Sequence, residues 1–114
     1  MVPSGLVHED GSFTVRVKQN GTALVVRACG ELDIASSKML EDELRRAIGG
    51  DATAIVLDLA RLSFIDSTGL RALLVAAEPS RSNGRRLRMV HAPAVLQRLV
   101  QVSGVEDLLP LDDD

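Results

Sequence analysis

Asn20-Gly21 stands between two apolar, β-rich runs, and no other feature of this 114-residue chain limits its fold as much. Asn and Gly both tolerate the positive φ that a two-residue hairpin turn requires. Ahead of the turn, Phe13, Val15 and Val17 alternate with Thr14, Arg16 and Lys18, the period of a strand with one buried face. Beyond it come Leu24, Val25, Val26 and Ala28. The first two strands are therefore expected to be antiparallel.

The period then changes. Leu40, Leu44, Ala47 and Ile48 fall at i, i+4, i+7 and i+8, one face of a helix. Asp33, Ser36 or Ser37 is a candidate cap, and Gly49-Gly50 a candidate stop. Ala54 to Leu59 is apolar except for Asp58 and reads as a buried strand. Leu70, Leu73, Leu74 and Ala77 form the inner face of a second helix, with Pro79 and Ser82-Asn83-Gly84 expected to end it. Leu87, Met89 and Val90 make a short strand. Pro93 opens a third helix, with Val95, Leu96, Leu99 and Val100 inward and Gly104 as its stop.

A hairpin followed by alternating helices and strands implies an α/β domain with a mixed, four- to five-stranded sheet and helices in parallel crossovers. Residues 1–12 show no period and read as a loose lead-in, residues 13–109 as the domain, and residues 110–114 as an acidic tail. Aromatic residues make up only 2% of the chain, so the core must be aliphatic and stacking platforms for single strands are nearly absent. A net charge of −3 argues against a phosphate-backbone ligand, so direct nucleic-acid binding is not expected. Cys29 is the sole cysteine and cannot form an internal disulfide; it reads as a small core residue. No apolar run approaches the ~18 residues of a membrane span, and no secretory signal stands at the start. The cytoplasm is the expected location.

Sites in open α/β sheets gather beyond the carboxyl ends of parallel strands. Two unusual segments fall there: Gly30 to Asp33 after the second strand, and Arg61 to Thr68 after the third. They share one rim if those strands are neighbours. Asp66 is a plausible N-cap, with Ser67 and Thr68 in the first helical turn, where unpaired N–H groups carry partial positive charge. Gly69 lacks side-chain bulk, so another backbone could approach. On residue types alone, a mere capping cluster is the favoured reading of Asp66, Ser67 and Thr68. Asp58 reads as an exposed or hydrogen-bonded strand residue and His91 as the structural end of the fourth strand. A hydrolase would pair Ser67 with His91 and an aspartate, but Ser67 lacks the Gly-x-Ser-x-Gly context. No catalytic residue, metal site or cofactor is expected.

Gly30-Glu31-Leu32-Asp33 and, downstream, Leu62-Ser63-Phe64-Ile65-Asp66-Ser67-Thr68-Gly69-Leu70 resemble the STAS domain of bacterial anti-sigma factor antagonists. The likeness runs from about Phe13 to about Leu109, and includes the order of elements. The resemblance implies that Ser67 is phosphorylated by a partner that is both serine kinase and anti-sigma factor, and that a PP2C-type phosphatase reverses this. It implies that the unphosphorylated form binds the anti-sigma factor and releases the sigma factor. It places Asp33 and Asp66 on the kinase-facing surface; Thr68 and Gly69 complete the expected partner-binding set. Ser36 and Ser37 could flank that surface, with no role carried to them. Arg71 stands where many members have a small residue. The alternative is a STAS module serving a transporter or a stress-signalling complex.

Overall fold

The computed structural model describes residues 6–10, 12–83 and 86–112. A single six-stranded sheet follows chain order from edge to edge. The strands are β1 (Leu6–Asp10), β2 (Phe13–Asn20), β3 (Ala23–Leu32), β4 (Ala54–Ile65), β5 (Arg86–Val90) and β6 (Leu111–Asp112). The first three pair antiparallel; β3 to β6 are parallel. Helices α1 (Ser37–Ile48), α2 (Ser67–Asn83) and α3 (Ala94–Ser103) fill the crossovers. All three crossovers step in one direction across the sheet, so right-handed connections place every helix on one face. Indeed α1 packs on α2, and α2 on α3.

The turn that links β2 to β3 has Gly21 at φ 64, as the Asn-Gly signal requires. Phe13, Val15, Val17, Val26, Ala28, Ile55, Leu57, Leu87 and Met89 turn toward the helices and are buried with Leu40, Leu44, Leu73 and Leu96. Thr14, Arg16, Lys18, Arg27 and Cys29 alternate with them and line the opposite face, which no helix among the described residues covers. Cys29 is thus half-buried on the open face, not a core residue as its small size suggested.

Several expectations are corrected. The lead-in is not loose throughout: Leu6–Asp10 pairs with β2, Leu6 opposite Val17 and Asp10 opposite Phe13. Its pairing comes from the otherwise open edge of β2, which residue order alone does not reveal. At the other end, Leu111–Asp112 extends the sheet beside β5, and Arg88 Nη2 holds the Asp112 carboxylate at 2.6 Å. The parts of both terminal segments at residues 1–5, 11 and 113–114 lie outside the described residues. The sheet therefore gains a strand at each edge beyond the four read from the pattern.

The third predicted strand does not stop at Leu59; β4 runs to Ile65. Leu59, Leu62 and Ile65 are all buried although three residues apart. A regular strand would send successive members of that series to opposite faces. Two register shifts against β3, between Arg27 and Cys29 and between Gly30 and Glu31, absorb one extra β4 residue each and turn all three inward. Asp58 stabilises the first bulge by accepting from the Ala60 N–H at 3.0 Å and pairing with Arg27 at 3.3 Å.

Helix α2 continues through Pro79 to Asn83. Proline removes one helical N–H, and here its neighbours on both sides stay helical, so the loss does not end the element. Gly49 does follow α1, but with φ −78 rather than a left-handed conformation. Gly104 ends α3 at φ 70. Val95 is 37% exposed, not inward, because only Leu96 and Val100 of α3 reach the core fully.

Candidate functional site: the rim beyond β3 and β4

Neighbouring parallel strands end together. Leu32, the last residue of β3, is in register with Ile65, the last of β4. Asp33 and Asp66 follow at the same level, so the two segments marked in the sequence do share one rim. The Asp66 N–H donates to the Leu32 carbonyl at 3.4 Å and ties the two strand ends together.

Gly30 and Gly69 make this junction possible. Gly30 has φ 103, and a Cβ there would lie 1.9 Å from the Ser12 carbonyl oxygen. A Cβ on Gly69 would lie 2.4 Å from the Leu32 carbonyl oxygen and 2.9 Å from Ile65 Cγ1. Another backbone does approach Gly69, but it belongs to this chain. Gly69 is buried, so its place in the partner-binding set is withdrawn in favour of close packing of α2 on the end of β3.

Asp66 caps α2: its Oδ1 accepts from the Gly69 N–H at 2.9 Å, three residues on. Replacing Asp66 by Ala should lower stability by about 1 kcal/mol, while Asn should stay within a few tenths of wild type because its carbonyl oxygen caps equally well. Urea denaturation of the two variants separates the cap from the charge; equal stabilities would rule out the capping role.

Asp33 is half-buried and organises the turn into α1. Its Oδ1 accepts from the N–H of Ala35 at 3.0 Å and of Ser36 at 3.3 Å. Ser36 Oγ donates to the Glu31 carbonyl at 2.7 Å and accepts from the Asp33 N–H at 3.0 Å. Ser37 Oγ donates to the Asp33 carbonyl. Ser36 is the residue before α1, yet its side chain makes no cap bond; it closes the turn behind the helix instead. Both serines are nearly fully buried, 2% and 5% exposed, so neither can flank a docking surface.

Ser67, by contrast, is exposed at the first position of α2, a 17-residue helix. Thr68 is half-buried. Arg71 is exposed one helical turn beyond Ser67, at the i, i+4 spacing that lets side chains meet. Among the described residues no hydrogen bond joins Ser67 to His91, which follows β5 with φ 59. Nor do the described residues group three or more His, Cys, Asp or Glu side chains that could hold a metal ion. No helix among them is long and apolar enough to cross a membrane.

A feature missed in the sequence is Ile34, 79% exposed on the rim directly after Asp33. The signal was available: an isoleucine stands between the acidic block and the helix, out of phase with Leu40 and Leu44.

Residues 14–114 match the model of the STAS domain. The chain belongs to the STAS family. The anti-sigma F factor antagonist of Paenibacillus polymyxa is 29% identical over 104 residues, covering 90% of this chain and 89% of that protein. The unphosphorylated form of the anti-sigma factor antagonist SpoIIAA superimposes with a TM-score of 0.70 at 22% identity, covering 88% of this chain and 89% of that one. The phosphorylated form of the Bacillus cell fate determinant SpoIIAA gives a TM-score of 0.66 at 22% identity, over 88% of this chain and 92% of that one. The expected mixed sheet with its antiparallel start and parallel crossovers is thus the STAS fold.

Proposed function

We propose that this STAS domain is an anti-sigma factor antagonist. In its unphosphorylated form it binds an anti-sigma factor that is also a serine kinase, and so releases the sigma factor. Phosphorylation of Ser67 ends that binding, and a PP2C-type phosphatase restores it. The observation that carries this reading is the placement of Ser67. Its hydroxyl is exposed at the mouth of α2, while the flanking Asp66 and Gly69 are occupied in holding the helix to the sheet. A kinase can reach that hydroxyl without disturbing the fold.

The rest of the rim supports the same reading. Asp33 uses one carboxylate oxygen, Oδ1, for its own turn and is only half-buried, so the other oxygen remains for a partner. Ile34 and Ser67 add an apolar contact and a small neutral one. Interfaces of this kind seat apolar residues centrally and charges at the border. The named relatives act on anti-sigma factors by their own names, and a relative's fold in both phosphorylation states matches this chain.

The test is incubation of the protein with ATP and an anti-sigma kinase from the source cell, followed by phosphopeptide mapping. A single phosphate on Ser67, absent from Ser67→Ala, is the expected result. Modification of Thr68 alone, or none with any such kinase, would overturn the assignment.

A further inference from the structure

The face of the sheet opposite the helices carries a second feature that the rim does not use. Arg16 on β2 lies directly across from Arg27 on β3, and Cys29 on β3 is in register with Arg61 on β4. Together with Thr14 these residues line an open depression of about 560 Å3. Like charges directly opposite on adjacent strands destabilise a sheet, so the fold itself gives no reason for Arg16 to face Arg27. Asp58 offsets only one of the three guanidinium groups, pairing with Arg27. Among the described residues Arg16 and Arg61 have no ion pair, and both are exposed. Lys18, exposed two residues beyond Arg16 on β2, extends the positive side of the face.

We infer that this depression is a docking site for an acidic segment of a partner protein. Guanidinium groups present planar forks that match carboxylates two bonds at a time. The hollow lies across three strands and opens to solvent, a shape for an extended chain rather than an enclosed small molecule. Phe64, 45% exposed, stands further along β4 on the same face, beside its register partner Glu31, whose exposed carboxylate marks the end of the basic stretch toward the rim. Arginine with an exposed aromatic is the composition of a protein interface. A free polyphosphate would gain nothing from Phe64. A long nucleic acid would meet the acidic remainder of a chain whose net charge is −3, whereas a short acidic segment can stay over Arg16, Arg27 and Arg61 and stop short of Glu31. Arg16 and Arg61 lie on the open sheet face and Ser67 on the rim beyond the strand ends, so a segment held on the arginines remains bound whichever state Ser67 is in.

The probe is a fluorescein-labelled hexaglutamate peptide titrated with the full chain and followed by anisotropy. Wild type should bind, and raising the salt should weaken binding because exposed charges are screened. The double variant R16E/R61E should bind at least about tenfold more weakly. R16Q/R61Q should also lose affinity while its thermal midpoint holds or rises, because a repulsive pair has been removed. S67E should bind hexaglutamate like wild type, which separates this site from the rim. The proposal is overturned if hexaglutamate does not bind, if both double variants bind it like wild type, or if S67E alone abolishes binding. Inorganic triphosphate competing far more strongly than its charge warrants would also overturn it, in favour of a phosphate ligand.

Discussion

Phosphorylated protein, and Ser67→Glu with it, should bind the anti-sigma kinase at least about a hundredfold more weakly than wild type, with Ser67→Ala binding constitutively. The loss comes from charge placed in an interface. A hydroxyl at the first position of α2 can be covered by a partner with little loss. A phosphate adds about −1.5 to −2 charges at neutral pH. Covering that charge without a matching cation removes its hydration and costs several kcal/mol, of which about 3 kcal/mol suffices for the stated factor. The helix N-terminus opposes this weakly, since it stabilises an exposed anion by only ~0.3–1 kcal/mol. Arg71, one turn on, adds an attraction of about 0.2–0.5 kcal/mol. Both gains are already present in the free phosphorylated protein. They therefore make the free form more comfortable and do nothing to rescue the complex. Asp66 beside the new charge adds repulsion. The fold should be untouched, because Ser67 is exposed and makes no hydrogen bond among the described residues that phosphorylation would break. Calorimetric titration of the four forms measures the affinities, and circular dichroism checks the fold. Equal affinities across the set would leave the switch without a physical basis.

Gly69→Ala should have the opposite profile, with stability lost before binding is considered. The new Cβ would stand 2.4 Å from a backbone oxygen, that of Leu32, and 3.0 Å from Leu32 Cγ. A flexible side chain could move aside, but the Leu32 carbonyl is fixed by β3 and accepts the N–H of Asp66. The start of α2 must shift instead. Overpacking of this sort costs up to about 3 kcal/mol. Alanine returns at most ~1 kcal/mol through its better helix propensity. The clash wins by about 2 kcal/mol, a fall in Tm on the order of 10 °C for a domain of this size. Thermal unfolding of the variant decides it. A midpoint at or above wild type would mean that the start of α2 is free to move and that the junction does not need Gly69. The two variants together test separate roles for nearby residues: the proposed one of Ser67 in binding, and that of Gly69 in the junction that presents it.

The elements with a clean period were legible without coordinates. Phe13, Val15 and Val17 declared β2, the Asn20-Gly21 turn declared the antiparallel start, and Leu40, Leu44, Ala47 and Ile48 declared α1. Asp66 was readable as a cap because its chemistry is local: the bond it makes spans three residues. The rim too followed from strand order, once β3 and β4 were taken as neighbours.

What stayed hidden depended on partners distant in the chain. Leu6–Asp10 and Leu111–Asp112 are strands because sheet edges lie beside them, and their own residues carry little pattern. Leu62 and Ile65 looked like a loop because bulges against β3 break the period of two. Gly69 looked like an opening for another protein, since only the folded chain brings Leu32 against it. Arg16, Arg27 and Arg61 are scattered along the chain and gather only when three strands come into register. Periodicity and capping act over a few residues and are written in their order. Edges, bulges and clustered charges are properties of strands laid side by side, and they exist only after the chain has closed upon itself.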